Sequence, residues 1–248
     1  MLCARAAPGF EIRVSPAQAE THTGPGGQAE VSFRLRSVAG EGKIRPSFAD
    51  FDLDEDGNPV AGGARLRSCA SWARADRNEL ALGTGDEVQL RVGLQAPPTA
   101  SGTYWCLLTL DMEGLSSPAR RGNVVQVLPR LSVPLLVSVG AGPAPRITAR
   151  FEKISRQDSE LASSLVLEAE GAYAMHVTGS IALEEESGSG PVEIGRLVVP
   201  RSLLLPGHRR RVPVRIACRS KRPVRLRGIL DYGDPEQKTV EIDSGPVH

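Results

Sequence analysis

The chain has 248 residues, 30 Lys and Arg against 29 Asp and Glu, and 40% hydrophobic residues with no long apolar run. These figures describe one large or two ordinary globular domains, and exclude a collagen, a coiled coil, general disorder and a stable membrane-spanning helix. A net charge of +1 leaves no chain-wide basic footprint for nucleic acid, while 26 Gly and 19 Pro supply the punctuation of many short strands, hence an all-β fold.

In chain order, residues 1–8 read as the remainder of an export signal, with Ala4 and Ala6 in A-x-A spacing. Export would permit disulfides. Val31, Phe33 and Leu35 alternate with polar residues after Pro25-Gly26-Gly27, and Val88, Leu90 and Val92 do so after Gly83-Thr84-Gly85. Tyr104, Cys106, Leu108 and Leu110 make another such row, and Val212, Val214 and Ile216 a fourth after Pro206-Gly207. A turn followed by period-two alternation predicts a half-buried strand. The window Ala64 to Leu82, free of Gly and Pro and rich in Ala and Arg, leaves helix or strand open, whereas Arg146 to Glu170 reads as strand, turn, strand. The apolar hinge 140–145 separates an N-terminal domain, 9–139, from a C-terminal domain, 146–248, each near the size of an immunoglobulin-like sandwich.

Several patterns resemble chemical sites and fall short. Asp52, Asp54, Asp56 and Gly57 start like a calcium loop, but the twelfth position is Gly63 and not a bidentate Glu. An Asp56-Gly57 hairpin with positive φ at the turn is the better expectation. The four cysteines, Cys3, Cys69, Cys106 and Cys218, have no metal-ligand spacing, so no metal and no cofactor are expected. Cys218 continues the inward row of Val212 to Ile216 as a buried apolar residue. Cys69 and Cys106 would bridge if their strands face each other, a staple worth ~3 kcal/mol. No His is placed to orient a base against a nucleophile, Ser189 lacks the nucleophile-elbow spacing, and Gly83-Thr84-Gly85 lacks a dinucleotide loop's third glycine. The chain therefore reads as a non-enzyme.

From Arg209 to Arg227 nine basic residues occur with no acid. Arg211, Arg215 and Arg219 are expected on the outward face of one strand, continued by Arg225 and Arg227 on its hairpin partner. That face is either plainly solvated or a surface for an acidic partner. Base stacking is not supported, because aromatics do not interleave with the charges.

Asn123 to Val139 carries the strongest signal. Val125, Val127, Leu131, Val133, Leu135, Val137 and Val139 share one parity, which predicts one long strand running into the hinge. Pro129 and Pro134 each remove a backbone donor, which suits an edge. An exposed apolar edge invites strand addition from another chain.

With these features in place, the chain resembles the PapD-like periplasmic chaperones of pilus and fimbrial assembly, two tandem immunoglobulin-like β-sandwich domains. The resemblance is carried by Val14-Ser15-Pro16, Asp54-Glu55-Asp56-Gly57, Leu80-Ala81-Leu82 with Gly85 ahead of Val88-Gln89-Leu90-Arg91, and Thr103-Tyr104-Trp105. It continues in Asn123-Val124-Val125-Gln126-Val127, His176-Val177-Thr178 and Asp231-Tyr232-Gly233. It implies a periplasmic chaperone that binds a pilin-like protein subunit by donor-strand complementation, with Val125, Val127, Pro129, Leu131 and Val133 as the donor strand and an outer-membrane usher as a further partner. It also implies a basic pair clamping the subunit's terminal carboxylate. Those places fall on Gln18 and Pro134, neither cationic, so Arg13 or Arg130 would have to substitute. The alternative is an exported structural protein, in which the same strand pairs internally or in a homodimer.

Overall fold

The computed structural model describes residues 10–62, 67–114, 129–143, 145–157, 159–188, 190–233 and 238–247. The export-signal expectation for residues 1–8, with Cys3, therefore lies outside the described residues, as do Ser189, Val125 and Val127. The chain divides into two compact units between Ala141 and Gly142, with Leu53–Val60 counted in the second.

Strands β1 (Glu11–Ser15), β2 (Ala19–Thr23), β3 (Gln28–Ala39), β4 (Gly42–Ala49), β5 (Phe51–Leu53) and β6 (Pro59–Ala61) come first. Then follow β7 (Ala73–Ala75), β8 (Leu80–Leu82), β9 (Glu87–Gln95), β10 (Gly102–Gly114) and β11 (Arg130–Val139). Two sheets of order β1-β3-β9-β7 and β2-β11-β10-β4-β8 enclose the first core, and β5 and β6 form a separate hairpin.

The alternation read from the sequence sets this core. Phe33 pairs across to Leu90 and Val31 to Val92, while Cys106 pairs to Leu135 and Leu108 to Val133 in the other sheet. The inward rows of the two sheets meet in one apolar cluster. Complete burial of side chains such as Phe33, Leu35, Leu90 and Leu135 stabilises by roughly 1.5–3 kcal/mol each. Between β1 and β2 the chain changes sheets at Pro16-Ala17-Gln18, so β1 pairs antiparallel with β3 and β2 pairs parallel with β11.

The second unit contains β12 (Arg146–Gln157), β13 (Glu160–Glu170), β14 (Met175–Ser187), β15 (Gly190–Leu204), β16 (Arg209–Ala217), β17 (Val224–Tyr232) and β18 (Lys238–Asp243). Sheets β12-β13-β16 and β15-β14-β17-β18 bury Leu161, Leu165 and Leu167 with Val214, Val177, Ile181, Leu183 and Leu226. The molecule is thus all-β, two tandem immunoglobulin-like sandwiches.

The strand, turn, strand reading of Arg146 to Glu170 holds as β12 and β13, and the ambiguous window resolves into the short strands β7 and β8. The basic stretch needs a correction. β16 pairs with β13 and β17 with β14, so Arg225 and Arg227 do not continue the Arg211 and Arg215 face on a hairpin partner. Strands consecutive in sequence cross between the layers of a sandwich as readily as they form hairpins, and period-two alternation looks the same in both cases.

Candidate functional site

The sequence placed its functional strand at Asn123 to Val139; β11 is the described part of it. The Pro129 carbonyl accepts from the Met112 N–H at 3.0 Å, which sets the phase of the antiparallel ladder. Odd-numbered residues of β11 direct their N–H and C=O groups at β10, and even-numbered residues direct theirs away from it. The Gly140 N–H, of even number, accordingly bonds to the Thr23 carbonyl at 2.8 Å, at the end of β2.

Two halves follow. Over Leu135 to Val139 the strand lies between β10 and β2, whose parallel register begins at Leu135 opposite Ala19. Over Arg130 to Val133 β10 is the neighbour it has among the described residues. The expected uninterrupted edge is therefore corrected: the half nearer the hinge is internal, because the first strand changes sheets and β2 adds to its free side. Pro134 sits where the two halves meet. Its missing N–H falls on the side away from β10, where a ladder donor would otherwise be left without a partner.

Among the described residues, the open half presents the backbone donors and acceptors of Arg130 and Ser132, whereas the Pro134 carbonyl faces β2, whose register with β11 begins at Ala19 opposite Leu135. Odd parity sends the other side chains into the first unit. Val133 is 2% exposed within the core, and Leu131 is half-buried against it. Val133 thus offers a partner neither its side chain, which is in the core, nor its backbone groups, which face Leu108 of β10, a correction to its expected part as an inserted donor. Pro129 is exposed. On the outward face a charge ladder crosses the sheet: Arg130 bonds Asp111 at 2.5 Å, and Arg45 reaches Glu113 at 3.3 Å and Glu79 at 3.0 Å, with Lys43 on Glu79 at 2.8 Å. Hydrogen bonding to Asp111 raises the Arg130 pKa.

The expected carboxylate anchors are not brought together. Arg130 belongs to β11, whereas Arg13 lies in β1 of the other sheet, opposite Arg36. Gln18 donates to Glu20 at 2.7 Å.

Elsewhere, the acidic turn is a hairpin. Gly57 has φ of 80°, and its N–H bonds the Asp54 carbonyl at 2.9 Å. The Asn58 backbone N–H, then its side-chain amide, hold the Asp54 carboxyl below the ordinary carboxylate range. Among the described residues no cluster of His, Cys, Asp and Glu is arranged to hold a metal ion. Much of the basic stretch is neutralised at home: Arg209 meets Glu152 at 2.9 Å, Arg211 meets Glu55 at 2.7 Å, Arg222 meets Glu185 at 3.1 Å and Arg225 meets Glu186 at 2.7 Å. That matches the solvated-face reading, and such exposed pairs contribute little individually. Cys69 and Cys106 are both buried thiols of the first core.

Sequence reasoning missed Ser132. A serine of polar parity carries no signal by itself; only the phase of the ladder shows that its backbone faces away from β10, on a side with no neighbour among the described residues.

No protein-family model and no curated protein sequence matches the chain. Among solved structures it is similar to the class 5 fimbriae chaperone CfaA, with a TM-score of 0.52 at 8% identity over 96% of this chain and 100% of that one. A chaperone and tip adhesin complex of CFA/I fimbriae gives 0.51 at 9% identity, again over 96% and 100%. The SafA pilin and SafB chaperone complex of Salmonella enterica gives 0.51 at 8% identity over 96% and 97%. The fold is that of the two-domain PapD-like chaperones.

Proposed function

We propose that this chain is a non-enzymatic, periplasmic chaperone-like protein that binds a pilin-like protein subunit by β-strand addition along Arg130 to Pro134. The carrying observation is the change of pairing within one strand: among the described residues, β11 has neighbours on both sides from Leu135 onward and on one side before it. A strand with alternate backbone groups unpaired gains a hydrogen-bonded neighbour at little conformational cost, since its own geometry is already held by β10. The fold of the fimbrial chaperones supports the same reading. Because Val133 and Leu131 are committed to the core, recognition here rests on backbone pairing, with the Val125 and Val127 row as the apolar complement.

The experiment is co-expression with the small exported proteins encoded beside the gene, using wild type and Ser132→Pro. Proline at Ser132 deletes a donor on the open side and leaves the β10 ladder intact. A subunit that co-purifies with wild type and is lost with Ser132→Pro supports strand addition. A subunit retained equally by both overturns it, and a homodimer dissolved by Ser132→Pro would instead give the edge to a second copy of this chain.

A further inference from the structure

Beneath the same strand lies a pair of sulfurs that the chaperone reading does not use. Ser68 forms a parallel bridge with Trp105: the Trp105 N–H bonds the Arg67 carbonyl at 2.9 Å and the Cys69 N–H bonds the Trp105 carbonyl at 3.3 Å. The next residues along, Cys69 and Cys106, are therefore neighbours across a parallel pair and face the same way. Adjacent strands lie ~4.8 Å apart, inside the Cα separation of roughly 4.4–6.8 Å that a disulfide spans. Both side chains are 0% exposed and belong to one core. The outward residues of the bridge confirm the parity: Ser68 donates to Asp50, and Trp105 donates through Nε1 to the Phe51 carbonyl at 3.0 Å.

We infer that Cys69 and Cys106 are an oxidative modification site, a disulfide pair that staples the Arg67-Ser68-Cys69 segment to β10 when the chain folds in the presence of a disulfide oxidant. The step is thiol–disulfide exchange. One cysteine thiolate attacks the oxidant's S–S bond, forming a mixed disulfide and releasing one oxidant thiol. The second cysteine thiolate then displaces the other. Two electrons pass to the oxidant, the two protein thiol protons end on the two oxidant thiols, and one S–S bond replaces another.

Timing follows from burial. Desolvation, then the hydrogen bond to the Cys106 sulfur, pushes the Cys69 thiol well above its ordinary range, so the folded protein holds almost no thiolate there. Exchange therefore belongs to the folding chain, and the folded, reduced protein resists oxidation. The Cys69 sulfur also lies 3.9 Å from the Leu135 carbonyl, the residue at which β2 begins to cover β11. The staple thus anchors β10 under the junction between the open and covered halves of the functional strand.

The test is refolding of the full chain, reduced and denatured, in a buffer of oxidised and reduced glutathione, followed by alkylation in denaturant and peptide mapping. It uses no client and no export, so it stands or falls apart from the chaperone reading. The expected result is a Cys69–Cys106 linked peptide with Cys218 alkylated as a free thiol, at least tenfold over any linkage to Cys218. The melting temperature should fall by roughly 10 °C on reduction. The effect should persist in Cys218→Ser and vanish in Cys69→Ala/Cys106→Ala. Alkylation of both Cys69 and Cys106 after refolding, or a dominant linkage to Cys218, overturns the inference. If the double variant fails to fold, the wild-type peptide map decides alone.

Discussion

The two halves of β11 carry the same sequence pattern and have different surroundings. Leu131 and Val133 share the parity of Leu135, Val137 and Val139, and all face the first core. Yet, among the described residues, the backbone of Leu135 to Val139 is held on both sides, while that of Arg130 to Val133 is held on one. Apolar alternation reports which face a side chain takes. It says nothing about which strand, if any, lies alongside, because the ladder bonds run perpendicular to the side chains.

The contrast can be broken most violently in the covered half. Val137 is fully buried and Val137→Lys places an unpaired charge there, so urea unfolding should show a loss of roughly 4 kcal/mol or no folded protein. Truncation should grade along the strand: Val133→Ala costs ~2 kcal/mol and Leu131→Ala ~1 kcal/mol, since the half-buried leucine leaves less of a cavity. Equal losses would mean that the open half is packed as firmly as the covered half.

The sharpest comparison uses two serines of the same parity. Ser138→Pro removes a donor directed at β2 and should cost ~1–2 kcal/mol beyond Ser138→Ala, which accounts for its hydroxyl contact with Thr103. Ser132→Pro removes a donor directed at open solvent and should cost under ~0.5 kcal/mol beyond Ser132→Ala. Similar losses in stability would show that Ser132 is already paired and would remove the proposed docking edge.

The smallest effect concerns the charge ladder beside the open half. Lys43 and then Arg45 hold the Glu79 carboxyl below the ordinary carboxylate range. A depressed folded pKa means that the contribution is complete above the unfolded value and fades as pH falls through the lower folded value. Glu79→Gln should slightly flatten the acid limb of the stability curve and leave neutral pH nearly unchanged. A steeper loss at neutral pH would contradict the exposure of this group.

Much of the fold was legible because strand alternation, glycine turns and the Arg146 to Glu170 break are local properties. Gly57 at positive φ and the inward row of Val212, Val214, Ile216 and Cys218 follow from the residues themselves. Pro134 was correctly informative about missing donors, although among the described residues its strand is an edge over half its length only. Pairing was not legible. Arg211 and Arg225 looked like members of one hairpin and belong to different sheets, and Val133 looked like a side chain for a partner and is spent on its own core.

An all-β, two-sandwich chain, the parity of its main strands and the concentration of apolar character ahead of the hinge could be read from the residues alone, because side-chain period and turn chemistry act over a few residues. It took the three-dimensional arrangement to show that β2 crosses to cover Leu135 to Val139, that Ser132 faces a side with no neighbour among the described residues, and that Cys69 comes beside Cys106. Those outcomes depend on contacts between segments far apart in the chain, where backbone hydrogen bonds select neighbours without regard to the side chains that the sequence pattern displays.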